Sequence, residues 1–350
     1  MTLLLCMVIG ALSAFALRRK LGLHPLGLWP VLAGALGAAM PHVQELLFLF
    51  NGTWGLKFQY GLTWSIFTLP ILTAVPAFFV FKFAKNTKSW SAYYPYSLAA
   101  AYFVLLFSFF TGAGVQPFWP IPVHVSFNVI FELDYVLLLI ALLFLLACFL
   151  FNNYARDAAR VGLVACGIYL VVVMTFKHQA HSFAEDYAEA FKLDVVEVTT
   201  LAQPINPLNW RIIVETKDGR LHDSMINLFR EEQREVYDNS TRSARIDSLF
   251  MPKHLAIWRI YRRYGMTNSK FPQVAFDSFE SRNFKWLARF AVFKTLVKWE
   301  GKPCAEFRDL RFEGARSNAL GRFMLCKENK EFVLYQADKA GSFSKLDMMY

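Results

Sequence analysis

Charge is scarce in this chain. Asp, Glu, Lys and Arg make up 18% of its 350 residues, whereas 55% are hydrophobic and 35 are Phe. That balance is too apolar for an ordinary water-soluble protein. Cysteine is also sparse, five in all, with no C-x-x-C or zinc-finger spacing. No G-x-S-x-G elbow, no glycine-rich phosphate loop, no internal repeat and no low-complexity tract is present. No basic stretch precedes the first apolar run, Thr2 to Leu17, and positive charge follows it. This is the reverse of a cleavable signal peptide, so the run reads as a retained helix.

The net charge of +10 would suit nucleic acid, but its distribution argues against that partner. Up to Phe176 there are nine Lys or Arg. Eight fall in three clusters: Arg18-Arg19-Lys20, then Lys82, Lys85 and Lys88, then Arg156 and Arg160. The clusters alternate with loops almost free of positive charge, Lys57 excepted, which is the positive-inside pattern. Six apolar runs lie between them, at about 2–17, 24–40, 62–83, 94–110, 127–151 and 161–176. The expectation is a membrane α-helical bundle of about six spans, multi-pass in a bacterial inner membrane, with the lipid bilayer as its first partner. The segment Thr111 to Pro122, rich in Gly, Pro and aromatics, reads as the turn between two spans.

After Lys177 the composition becomes that of a globular domain. Residues 177–193 read as an amphipathic connecting helix. Short alternating runs at 195–201, 211–215, 220–227, 291–300, 305–312, 322–327 and 331–336 suit strands. Asp218-Gly219 marks a hairpin turn, and His254 to Tyr264 and Ser281 to Phe290 read as helices. The chain is therefore expected to divide into a bundle (1–176), the connecting helix and a C-terminal α+β, mainly antiparallel domain (194–350). By counting spans, that domain faces the periplasm.

Several segments resemble the bacterial inner-membrane-associated metal-dependent hydrolases, the LexA-binding hydrolase-like family. There a span carries H-x-x-x-D, followed by T-x-x-G and a Trp-Pro boundary. Thr111, Gly114, Trp119 and Pro120 match this tail, while Val104 and Ser108 occupy the His and Asp positions. The family's P-D-x-D is represented by Pro41-His42-Val43-Gln44, and its H-R-G-x-T-H-S by Gln59 to Ser65. Pro41, Gly61, Thr63 and Ser65 match; His42, Gln44, Gln59 and Trp64 stand at ligand or catalytic positions. Pro204 to Arg211 resembles the entry to a W-R strand, Arg308 to Phe312 a D-L-R-F strand, and Asp134 an acidic position after the turn. The resemblance implies a family frame whose metal ligands are lost, because Gln, Trp, Val and Ser do not supply the deprotonated carboxylates and imidazoles of a hydrolytic metal site.

Two functional expectations follow. The first is a non-catalytic scaffold that binds a lipid or a membrane-protein partner and needs no cofactor. The alternative is a metal-assisted hydrolase of a lipid or phosphoester, in which zinc or another divalent metal is held by a substitute set: His42, Glu45, His124, His178 and His181. Asp134, with Glu132 read as lying inside the fifth span, is the candidate functional acid. Cys6, Cys148 and Cys166 read as small apolar residues of the spans. Cys304 and Cys326 lie on neighbouring expected strands and form the candidate disulfide.

Overall fold

The computed structural model describes residues 2–17, 27–44, 61–84, 89–121, 123–237, 240–265, 269–278, 288–312, 321–329, 331–337 and 342–345. The chain forms two compact units, Met1–His178 with Leu201–Pro207, and Gln179–Thr200 with Leu208–Tyr350.

The first unit is helical: α1 (Leu3–Leu17), α2 (Trp29–Ala39), α3 (Leu69–Ala84), α4 (Tyr94–Ser108), α5 (Tyr135–Leu150) and the start of α6 (Ala155–Ala190). It corrects the expectation of six spans. The first five helices have 15, 11, 16, 15 and 16 residues, or about 16–24 Å at 1.5 Å per residue, against a hydrocarbon core of about 30 Å. Among the described residues, one helix is long and apolar enough to cross a membrane, the 39-residue stretch Asn152–Ala190 that contains α6. It also runs unbroken through the expected boundary at residues 176–177.

The apolar runs overstate the helices because their ends have other hydrogen-bond partners. The expected fifth span begins with extended chain, in which Phe127 N and Val129 N donate to the carbonyls of Phe109 and Phe110 at 2.6 and 2.8 Å. Helix α5 starts only where Asp134 caps it, Oδ1 accepting from Leu137 N at 2.9 Å. Glu132 and Asp134 therefore precede the helix instead of lying inside it. Likewise Leu62–Trp64 is a 3₁₀ turn, and α3 begins at Leu69.

Small residues decide how these helices meet. A Cβ added at Gly10 of α1 would lie 2.4 Å from Ala38 Cβ and 2.6 Å from the Gly34 carbonyl oxygen of α2. One added at Gly37 would lie 2.4 Å from Ser97 Oγ of α4. Large apolar side chains point the other way. Ile71, Phe78 and Phe79 of α3, Leu143 and Leu150 of α5, and Val164 and Ile168 of α6 are all exposed.

The second unit carries two small sheets. In the first, β1 (Val195–Ala202), β2 (Asn209–Thr216), β3 (Arg220–Asn227) and β4 (Met251–Pro252) lie in that order, and β5 (Arg259–Arg262) also pairs with β3. Gly219, at φ 76°, turns β2 into β3. The second is an antiparallel meander of β6 (Ala291–Trp299), β7 (Lys302–Asp309), β8 (Arg322–Glu328), β9 (Glu331–Ala337) and β10 (Phe343–Lys345). Short helices α7 (Arg242–Asp247) and α8 (Phe271–Asp277) complete the unit. Phe276 of α8 packs on Phe307, Phe323 and Leu325 to form the core of the meander.

Two local expectations are corrected here. His254 to Tyr264 is not a helix: Lys253–Leu255 is a 3₁₀ turn and Arg259–Arg262 is β5, held by pairing with Arg220–Asp223. The D-L-R-F segment leaves the strand at Asp309, whose carboxylate accepts from Arg311 N and Nε, both at 2.9 Å, and so turns the chain. Of the expected helix Ser281 to Phe290, residues 281–287 lie outside the described residues.

The contact through Gly10 and Gly34 gives a direct test. Gly34→Val is expected to destabilise the purified protein by about 1–3 kcal/mol through overpacking. Gly167→Ala, where an added Cβ meets nothing within 4 Å, should leave thermal stability within about 0.5 kcal/mol. Equal effects of both substitutions on the melting temperature would refute the packing account.

Candidate functional site

The stretches that resemble the hydrolase motifs come together in the first unit. Thr63 Oγ1 lies 2.7 Å from the Pro41 carbonyl and 2.9 Å from Gln44 Oε1, one hydroxyl proton shared between two acceptors. Ser65 Oγ donates to the Trp119 carbonyl at 2.9 Å, and Ile66 N to that of Pro117 at 2.9 Å. These bonds tie Pro41–Gln44, Gly61–Ser65 and the Pro117–Trp119 turn into one polar layer. Gly61 is required there, since a Cβ would meet Trp119 Cδ1 at 2.9 Å. The Trp119–Pro120 peptide bond is cis.

Among the described residues, the ligand positions of this layer and of α4 have structural occupants. His42 is buried, with Nε2 3.2 Å from Cys6 Sγ and its ring edge-on to Trp64 at 5.4 Å. Gln44 is the partner of Thr63. On α4, Val104 is buried, and Ser108 Oγ donates to the Val104 carbonyl at 2.8 Å. Thr111 Oγ1 continues the line by donating to the Ser108 carbonyl at 2.8 Å. Gln59 and Glu45 lie outside the described residues.

Two residues of the substitute set have separate partners. His124 Nε2 is 2.9 Å from the Ala113 carbonyl, and His181 Nε2 is 3.5 Å from Glu185 on α6. His178 also lies on α6. Among the described residues, no three His, Cys, Asp or Glu side chains lie close enough to hold a metal ion. Donor chemistry at the motif positions agrees: one imidazole, facing a thiol, with an amide, an indole, a methyl-bearing side chain and a hydroxyl. Among the described residues, those at the motif positions do not supply the carboxylates and imidazoles of a hydrolytic metal site.

Asp134 works as an architectural acid. Besides capping α5 it accepts from the Tyr169 hydroxyl of α6, at 2.9 Å to Oδ1 and 2.8 Å to Oδ2. One carboxylate thus ends one helix and fastens another. Cys6, Cys148 and Cys166, none of them in a disulfide among the described residues, are all buried.

In the second unit, Cys304 and Cys326 face each other across β7 and β8 and are joined by a disulfide. Sequence reasoning missed three features of this unit. Arg211 and Asp223, both 1% exposed, form a bidentate ion pair at 2.6 and 2.7 Å. Asp247 accepts from Asn209, Arg230 and Arg234 at 2.7, 2.6 and 2.7 Å. Burial pushes its carboxyl pKa up, but those hydrogen bonds and the Arg230 charge outweigh burial and hold it below the usual range. A cavity of about 160 Å³ opens where β4 and β5 take different parts of the β3 edge, lined by Met225, Leu249, Met251, Ile257 and Arg259 among others. The alternating run of β2 and β3 hinted at the buried ion pair; the cavity had no signal, because it depends on strand pairing.

No protein-family model matches the chain, and no curated protein or solved structure is similar to it. Its chemistry has to be read from the residues.

His222 of β3 offers a measurable one. Its Nδ1 lies 2.9 Å from the Tyr187 hydroxyl. Burial first, then the charge of Arg220, push its pKa below 6.5, with Asp218 opposing. The unfolded chain therefore binds the proton more readily than the native one. Stability should be fully present above pH 6.5 and decline as pH falls below it towards the depressed native pKa. In chemical denaturation across that window, His222→Gln should flatten this slope; an unchanged slope would assign it to other groups.

Proposed function

We propose that this chain is a bacterial inner-membrane protein that works by binding, as a scaffold for a lipid or a membrane-protein partner, and not by catalysis. In this reading α6 crosses the bilayer once, and the shorter helices form an apolar body packed in lipid around Gly10, Gly34 and Gly37. The outward-facing Ile71, Phe78, Leu143, Leu150 and Ile168 support lipid as the surrounding medium. The resemblance to membrane-bound metal-dependent hydrolases enters as a comparison of positions, with the family's frame kept for its shape.

One observation carries the non-catalytic reading. At the positions where that resemblance puts metal ligands, the side chains are committed to the protein itself: His42 to Cys6 and Trp64, Gln44 to Thr63, Ser108 to the Val104 carbonyl. A reactive centre needs donors whose lone pairs converge on an open position. Here they converge on one another. Full-length protein purified without chelator is expected to contain far less than one zinc or manganese per chain by elemental analysis. His42→Ala should change neither that content nor partner binding. One tightly held metal per chain, lost in His42→Ala, would replace this reading with the hydrolase.

The second unit is placed by this proposal on the periplasmic side, supported by the Cys304–Cys326 bond, since disulfides persist in oxidising compartments. With a sequence separation of 22, the bond contributes roughly 3 kcal/mol in the chain-entropy picture. Acid-quenched, alkylated cells should yield both cysteines oxidised, and Cys326→Ala should lower stability by that order. Recovery of both as free thiols from intact cells would move the unit to the cytoplasm.

A further inference from the structure

The stretch Lys253 to Arg262, Lys-His-Leu-Ala-Ile-Trp-Arg-Ile-Tyr-Arg, combines features that are rarely left together on a water-facing surface. Leu255, Ile257 and Ile260 are 45, 54 and 55% exposed. Lys253, Arg259 and Arg262 are exposed between and beside them. Among the described residues none of these three cations has an ion pair, whereas nearby Arg220 and Arg263 are matched by Asp218 and Glu215. Exposed aliphatics interleaved with unmatched cations form the pattern that binds the boundary between acyl chains and anionic headgroups.

The position of Trp258 says where this surface lies. Its ring stacks on Tyr187 at 3.6 Å and 8°, and on Phe183 at 6.1 Å and 18°. Both partners belong to α6, about two to three turns beyond Phe176, where the apolar run of that helix ends. The stretch is thus fixed to α6 just past its apolar part, where a helix leaving the bilayer passes the headgroups. Aromatic side chains favour that level. Helix α6 itself carries Glu185, Asp186 and Glu189 there, so any attraction to an anionic surface comes from Lys253, Arg259 and Arg262.

We infer that residues 253–262 form a lipid-docking surface that rests on an anionic phospholipid headgroup layer, with Leu255, Ile257 and Ile260 entering it and the three cations meeting the phosphates. The inference rests on α6 being a membrane helix. It adds a contact of the second unit's own surface with the headgroup layer.

The test uses the full chain reconstituted into phosphatidylcholine vesicles with and without roughly one-third phosphatidylglycerol, an anionic lipid. Single fluorophores are attached at Ile257→Cys, at Val196→Cys, an exposed position of β1, and at Ile168→Cys on α6. Wild-type labelling of the buried native thiols is subtracted. Headgroup-spin-labelled lipid is expected to quench the Ile257 label at least about twofold more than the Val196 label. Arg259→Glu with Arg262→Glu should remove that difference, and omission of the anionic lipid should reduce it. If the Ile168 label is quenched by acyl-chain spin labels while the Ile257 label behaves like Val196, the docking surface is refuted and the membrane reading stands. If the Ile168 label escapes acyl-chain quenching, the membrane reading fails and the inference with it. Ile257→Cys is an exposed single change, so the comparison survives even if the charge reversals fail to fold.

Discussion

The approach of α1 to α2 at Gly10 and Gly34 sets the geometry of the helical unit. The two backbones lie so close that a methyl group on either glycine would meet the opposite carbonyl or an alanine Cβ. Where helices meet through their smallest residues, dispersion between backbones replaces interdigitated large side chains. The bulky apolar residues are then left for the outer surface of α3, α5 and α6. In water such a surface would be a severe liability; in lipid it is the ordinary exterior.

Polar side chains in this unit serve as pegs for irregular chain. Thr63, Ser65, Ser108 and Thr111 each bond to a backbone carbonyl, and Asp134 joins the start of α5 to Tyr169 of α6. An apolar setting makes an unpaired polar group costly, so hydrogen bonds that fix the turns between short helices are strongly favoured. The consequence for chemistry is direct. Apart from the buried Trp64 indole N–H, which has no hydrogen-bond partner, the donors and acceptors described in this layer are matched to each other, an arrangement suited to holding a shape.

The second unit solves a different problem with different means. Its strands are short, and its interior includes a bidentate Arg211–Asp223 pair with both partners buried. Removing one member of such a pair leaves an uncompensated charge, at a cost of about 3–5 kcal/mol. The β6–β10 meander gains further definition from the cross-strand disulfide and from the Phe276, Phe307 and Phe323 core. The stack of Trp258 on Tyr187 fastens the chain that enters β5 to the end of α6.

The sequence by itself determined several local properties. Apolar runs marked where helices lie, Asp218-Gly219 marked a turn, alternation marked β2, β3 and the meander, and the two cysteines lay on runs that become adjacent strands. It also showed that Val104, Ser108, Gln44 and Trp64 are poor metal ligands, since ligand chemistry belongs to the residue type. Tertiary structure alone decided the rest. Hydropathy says that a segment avoids water but not where its backbone stops being helical, and Phe127 to Ile130 pair with the end of α4 instead of extending α5. His254 to Tyr264 looks helical in isolation and becomes a turn and a strand because β3 offers an edge. His42 meets Cys6, Asp134 meets Tyr169 and Asp247 meets Asn209 across 36, 35 and 38 residues of chain. No local pattern encodes a contact at that separation; it exists only once the chain has folded and the matching donors and acceptors are brought face to face.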